Sequence, residues 1–287
     1  MIIGVIGSNG FIGQHLCNQL QIQGHEVIKA DLPEVDITNI NSFDLLSKVD
    51  IIYHLAVLPL SSCNKDYKKC IETNIMGTAN LMTVAGSNKV KRIIYASASS
   101  VYGEPESLPA HESDPTIPLT MYGMSKLAGE NVVRIMSNNF DLTYGIFRFT
   151  NVYGDGQRNG IIPIVINKLL NGDKIEITGN GKQTRDFVHV DDIVTFLIKA
   201  MSLPIYSFTA NLGSNHNTSI NDIVGLCSKY LNKAPIVKNI PMTVDREHFY
   251  ADTTILKDIF GEFEFINFET GLFNTINWWI NERNKTA

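Results

Sequence analysis

The chain is short of the residues that would mark a metal protein, a disulfide scaffold or a nucleic-acid binder. It has four cysteines in 287 residues, and Cys17, Cys63, Cys70 and Cys227 show no CxxC or other metal-ligand spacing. Reduced thiols in a cytoplasmic protein are the expectation, with no metal. There is no run of Lys and Arg, and the formal charge is −5. A nucleic-acid partner would need a basic patch to neutralise phosphates, so none is expected. No apolar run approaches the ~20 residues that cross a bilayer, so no membrane partner is expected. The opening MIIGVIGSNG has no basic start and breaks into glycine too early for a signal peptide. Internal repeats and low-complexity linkers are missing too. The two tryptophans stand side by side at Trp278 and Trp279 and read as packing residues.

What the chain does have is the balance of an ordinary globular enzyme: 44% hydrophobic and 18% charged residues. That length suits one large α/β domain, or a large domain with a smaller one attached. Residues 2–6 (IIGVI) read as a fully buried parallel strand. Gly7, Gly10 and Gly13 follow, and then a helical pattern through Phe11, Ile12, Leu16 and Leu20. Strand, glycine turn and helix together make a dinucleotide pyrophosphate site. Gly7 permits the tight turn, Gly10 the approach of phosphate, and Gly13 close packing of helix on strand, with the helix N-terminus facing the anion. A second strand ends at Asp31, 18 residues after Gly13. A carboxylate there accepts from ribose hydroxyls and repels a 2′-phosphate, which favours NAD over NADP. Asp36 and Ile37 either flank the adenine, or Asp36 caps the next helix.

Further strands are read at 51–55, 92–96 and 142–149, alternating with helices. This argues for a doubly wound parallel sheet. The strand at 92–96 delivers ASASSVYG, and small residues at the carboxyl edge of such a sheet sit where ligands bind. Tyr122 and Lys126 follow, four apart in MYGMSK, on one face of a helix. A phenol beside an ammonium is a candidate acid/base, because the cation lowers the cost of the phenolate. An oxidised nicotinamide ring would add to that effect. After Gly154 the pattern changes to short strands and helices, including a helix at 161–170, Arg185 beside Asp186, and a helix from His189 to Met201. The first 150 residues read as the nucleotide domain, with a return segment near 187–205. Residues 151–287 read mainly as a smaller α/β lid that binds substrate.

Taken together, GSNGFIG at 7–13, Asp31, HLA at 54–56, NIMGT at 74–78, ASASSVYG at 96–103, YGMSK at 122–126, RFTNVYG at 148–154 and GNGKQTRDFVHVDDI at 179–193 resemble the extended short-chain dehydrogenase/reductases. The likeness is to their NAD-dependent epimerase/dehydratase branch, and within it to the UDP-glucose 4-epimerase-like nucleotide-sugar epimerases. The resemblance implies a Rossmann fold and NAD as cofactor, lined by Leu55, Ala56, Val57, Asn74 and Ala96. It implies Tyr122 as the group exchanging a proton with a sugar hydroxyl and Lys126 as the residue that lowers its pKa. It further implies Asn151, Ile161 and Arg185 toward a nucleotide sugar, and a homodimer formed through helices near 66–86 and 119–139.

Two departures stand out. Relatives carry Ser or Thr three residues before the valine of VYG, where it hydrogen-bonds the reacting oxygen; here that residue is Ala98. Ser97, Ser99 or a water are the substitute donors to consider. Relatives also place an arginine where Met242 stands, and Arg246 either takes over a diphosphate contact or pairs with Glu247 on the surface. Dehydratases of the superfamily carry an acidic pair before that valine, whereas Ser99 and Ser100 stand here, which disfavours dehydration. The reading is an NAD-dependent nucleotide-sugar epimerase. A 4-keto-sugar reductase, or a catalytically weakened binding protein, are the alternatives.

Overall fold

The computed structural model describes residues 1–204, 206–241 and 247–286. Arg246 and Met242 lie outside the described residues. A six-stranded parallel sheet is built from β1 (Ile2–Ile6), β2 (Glu26–Ala30), β3 (Ile51–His54), β4 (Arg92–Ala98), β5 (Thr143–Phe149) and β6 (Phe208–Leu212). Their spatial order is β6-β5-β4-β3-β1-β2, every neighbouring pair parallel. The order reverses at β1, so the carboxyl ends of β1 and β3–β5 open onto a crevice there.

Both faces of the sheet are covered, which is why its strands are continuous apolar runs. On one face helix α1 (Phe11–Ile22) buries Leu16, Cys17 and Leu20 against the strands and against the helix Val190–Met201. On the other, helix α2 (Gly77–Ser87) buries Leu81, Met82 and Ala85, and helix α3 (Met121–Phe140) buries Val133. Thr120 starts α3 by accepting a hydrogen bond from the Gly123 amide at 3.1 Å, a Thr N-cap.

The return to the sheet is longer than expected. It runs from Phe187 through the Val190–Met201 helix to β6, which ends at Leu212. Helix Thr254–Phe260 also belongs there, with Phe260 stacked on Phe147 and set edge-on to Phe208. The remainder has its own core. Helices Ile161–Asn171, Ile220–Leu231 and Phe268–Thr286 pack Val165, Ile166, Ile223, Cys227, Leu272 and Trp279 together. Trp279 is 8% exposed within it, in keeping with a packing role.

One expectation needs correction. Cys63 and Cys70 form a disulfide, with their Cα atoms 4.9 Å apart, while Cys17 and Cys227 are free and buried. The chain turns back between the short helices Leu60–Cys63 and Tyr67–Ile71, and this brings together two thiols that their spacing gave no reason to pair. Among the described residues no helix is long and apolar enough to cross a membrane, and no cluster of three metal-ligating side chains occurs.

Candidate active site

The crevice at the carboxyl edge is a cleft of about 1000 Å³. Gly7, Gly10, Phe11, Ile12, Gly13, Asp31, Asp36, Ile37, Leu55, Ala56, Val57, Ala96, Ser97, Tyr122 and Lys126 all line it. The glycines are needed by the protein's own backbone. Gly7 has φ +88°, and a Cβ there would sit 2.6 Å from the Ala56 nitrogen; a Cβ on Gly13 would collide with the Gly7 carbonyl. The tight strand-to-helix turn therefore presents backbone at the start of α1, as a pyrophosphate requires. At the end of β2 the Asp31 carboxylate accepts from the Asn9 and Leu32 amides, each at 2.8 Å. Each of its oxygens keeps acceptor capacity for a ribose hydroxyl. Asp36 does not cap a helix: it accepts from the Thr38 amide and hydroxyl, and Asn39 caps the following short turn. These residues fit a dinucleotide.

Asn74 is not on the cleft wall. It is 2% exposed, within a π turn (Glu72–Met76) that interrupts the helix. Its Oδ1 accepts from the Leu58 amide at 2.7 Å, and its Nδ2 donates to the Leu58 carbonyl at 3.1 Å and to Ser125 Oγ at 2.9 Å. Ser125 in turn donates to the Tyr122 carbonyl at 2.8 Å. Asn74 thus joins the cleft-lining segment at Leu58 to the turn of α3 that carries Tyr122.

Tyr122 and Lys126 share one face of α3, as their spacing predicts. Lys126 is 3% exposed, and its Nζ lies 4.2 Å from the centre of the Tyr95 ring. Burial draws its pKa down to about 7, with Glu130 pulling the other way. Burial raises Tyr122 to about 12. Within the protein itself, loss of water alone accounts for the rise of the phenol.

Beside the cleft is a smaller pocket of about 390 Å³. Ala98, Ser99, Ser100, Thr150, Asn151, Gln157, Ile161 and Arg185 line it, and Tyr122 and Phe149 line both spaces. Asn151 donates its amide to the Asp186 carbonyl at 3.0 Å, and Arg185 donates to the Thr184 carbonyl at 2.8 Å. Three residues that line this pocket carry a buried polar atom with no hydrogen-bond partner among the described residues: Ser100 Oγ, Thr150 Oγ1 and Gln157 Oε1. None of the three is singled out as a donor by the sequence, where Ser100 enters only beside Ser99 in place of a dehydratase's acids, because nothing in the chain says which polar groups the fold leaves unmatched.

Ser97 is a correction. It was a candidate substitute for the donor missing at Ala98, but its hydroxyl donates to Glu130 Oε1 at 2.5 Å, inside the protein. Its proton is committed to a buried carboxylate and is not offered to the pocket. Ser99 remains on the pocket wall, 4% exposed.

The comparisons with known proteins agree with this geometry. The model of the NAD-dependent epimerase/dehydratase family matches residues 3–207. A putative UDP-glucose 4-epimerase of Methanocaldococcus jannaschii is 28% identical, over 98% of this chain and 99% of that one. The UDP-N-acetyl-α-D-glucosaminuronate decarboxylase of Bacillus cytotoxicus is 29% identical over 96% of both chains. The UDP-glucuronic acid 4-epimerase of Bacillus cereus, solved in complex with UDP-glucuronic acid and NAD, superposes with a TM-score of 0.92 at 27% identity, covering 98% of this chain and 100% of the other. With a glycine-turn cleft ending at an acidic residue, a Tyr–Lys pair at its inner end and a family match over most of its length, the chain belongs to the NAD-dependent epimerase/dehydratase family.

Proposed function

We propose that the protein is an NAD-dependent nucleotide-sugar 4-epimerase acting on UDP-sugars. The observation that carries this reading is that Tyr122 lines both the dinucleotide cleft and the smaller pocket. A phenol at that junction meets the reacting carbon of a sugar and the cofactor together. NAD supplies a hydride acceptor that later returns the hydride. Gly7, Gly10 and Gly13 admit its pyrophosphate, and Asp31 receives its ribose hydroxyls. Tyr122, in the first turn of α3, sits at the positive end of the helix dipole, which favours the phenolate that accepts the sugar's proton. Lys126 adds charge when protonated and reaches the nicotinamide-side ribose. Arg185 and Asn151 face the diphosphate and sugar. Ser99 and Ser100 occupy the place where a dehydratase needs acids, so the ketone returns to an alcohol instead of losing water.

The same reading includes a homodimer. Tyr67, Ile71, Met76 and Ile135 are exposed apolar side chains on the helical segments 66–86 and 119–139. Their exposure favours a second copy over solvent. Light scattering at micromolar concentration tests it.

The deciding experiment is an NMR time course on UDP-, dTDP-, GDP- and CDP-sugars with catalytic NAD, following reduced-nicotinamide absorbance in parallel. A new epimer with no net cofactor change is the expected result. Product formed only with stoichiometric reduced cofactor, from a keto-sugar, would replace the epimerase with a reductase.

A further inference from the structure

The sugar-sized pocket poses a chemical problem that its own residues answer. Oxidising a secondary alcohol develops negative charge on its oxygen as the proton leaves, and a hydrogen-bond donor aimed there lowers the barrier. Ala98, on the pocket wall, cannot donate. Ser97 is bound to Glu130 at 2.5 Å. We propose that Ser100 is the catalytic hydroxyl of this enzyme, donating a hydrogen bond to the sugar oxygen that Tyr122 deprotonates. This rests on the epimerase reading above and adds the residue that makes it work without a hydroxyl at position 98.

Three observations carry it. Ser100 lines the pocket, and its hydroxyl is shielded from water with no partner among the described residues. A buried donor left without a partner is costly, and a turn of the Ser100 side chain toward the pocket it lines lets a ligand oxygen satisfy it. Second, Ser100 is joined to the catalytic helix: its carbonyl packs against Gly123, where an added Cβ would lie 2.5 Å from it. Gly123 directly follows Tyr122, so hydroxyl and phenol belong to one local unit. Third, the other unpartnered hydroxyl, Thr150, is less able to turn. β4 and β5 are adjacent, with Ala98 opposite Phe149, so Ser100 and Thr150 leave neighbouring strand ends. But the Thr150 methyl is pressed on Gly213, where a Cβ would lie 2.6 Å from it. Ser100 has no such methyl, and its hydroxyl rotates to follow the substrate. No group is transferred through Ser100; it keeps its own proton throughout.

The test uses the NAD-loaded protein and three variants: Ser100→Ala, Thr150→Val, and Ser100→Ala combined with Ala98→Ser. Turnover is measured on the sugar nucleotide found active, and calorimetry compares UDP-glucose with UDP. Ser100→Ala is expected to lower kcat by about 10²–10³. It should weaken UDP-glucose several-fold while leaving UDP and NAD unchanged. Ala98→Ser in that background should restore at least tenfold of the lost rate. A Ser100→Ala protein with kcat within twofold of the parent and unaltered UDP-glucose affinity overturns the proposal, as does a loss confined to Thr150→Val. If the parent binds UDP-glucose through Ser100 but converts no sugar, the epimerase reading fails while Ser100 stands as a sugar contact. If the parent epimerises and Ser100→Ala is silent, only the Ser100 assignment falls.

Discussion

The hydroxyl of Ser97 donates to the carboxylate of Glu130 at 2.5 Å, linking the end of β4 to the third turn of α3. Glu130 is fully buried and also accepts from Arg148 at both oxygens, Nε to Oε1 and Nη2 to Oε2, each at 2.9 Å. Arg134 adds a bond at 2.7 Å. Arg148 reaches on to the Tyr102 hydroxyl at 2.9 Å, and Tyr102 donates to Asn211 on β6 at 2.6 Å. One buried carboxylate therefore ties β4, α3, β5 and β6 together directly behind Tyr122 and Lys126.

Glu130→Gln should destabilise the protein by about 3–5 kcal/mol, because it leaves Arg148 buried without its bidentate partner. Urea unfolding of the two proteins at pH 7 measures it. Burial pushes the Glu130 carboxyl up, but the Arg148 bonds, and then Ser97 and Arg134, override it and hold the group below the usual carboxylate range. Its folded pKa is thus below its unfolded one. The stability it contributes is present above the unfolded pKa and is lost as pH falls through the folded one. The Gln variant should lack that part of the acid transition.

Glu130 also shows where the sequence was legible and where it was not. Five of the six sheet strands, the glycine turn, Asp31 and the Tyr122–Lys126 pair follow from local patterns: apolar runs, glycine spacing and a four-residue helical interval. Glu130 lies one further turn along the same helix face, so its spacing was readable. Its partner Arg148 is 18 residues away on β5, and only the fold supplies that pairing. The same applies to Cys63 and Cys70, and to Asn74. Asn74 sits in a cleft-side motif yet turns inward, because a π turn rotates it toward Leu58 and Ser125. The return to the sheet was read too short because β6, FTANL, is a brief strand without a glycine or catalytic motif to announce it.

Lys126 gives a pH signature in the protein freed of dinucleotide. Burial brings its pKa down to about 7, against the ordinary lysine value near ~10.4 in the unfolded chain. Between these values the unfolded chain holds more protons, so stability rises with pH, by up to about 1.4 kcal/mol per pH unit from this group. Below the lower value the slope vanishes. Urea midpoints from pH 7 to 9, compared with Lys126→Met, should show a rise that the variant loses. Equal slopes in the two proteins would place the ammonium in water.

Asp31→Asn keeps an acceptor for the Asn9 amide but loses the charge. Hydrogen bonds to a charged group are worth about 1.5–3 kcal/mol, against about 0.5–1.5 for neutral pairs. NAD binding should therefore weaken about tenfold, and the preference over NADP should narrow by at least as much, since the repulsion of a 2′-phosphate goes too. Fluorescence titration with both cofactors reads the change. An unaltered NAD/NADP ratio would show that the carboxylate does not face the adenosine ribose.

The Cys63–Cys70 disulfide braces one wall of the same cleft. Leu58, Pro59, Asp66, Lys68, Lys69, Glu72 and Thr73 line the cleft, and the two cysteines lie among them, both fully buried. Asn74 Nδ2 stands 3.6 Å from each sulfur. A cross-link over so short a loop restricts the unfolded chain by about 2–3 kcal/mol, the lower part of the usual range. Cys63→Ala combined with Cys70→Ala should lower the unfolding free energy by that amount, or more where the vacated space does not close. NAD affinity should fall several-fold as well, because the wall that Asn74 fastens to α3 loses its second tie. Treatment of the parent with a dithiol reductant under mildly denaturing conditions should reproduce the first effect and leave the double variant unmoved. A parent indifferent to reductant, with two titratable thiols at Cys63 and Cys70, would remove the brace from the account and leave Asn74 alone holding the Leu58 segment.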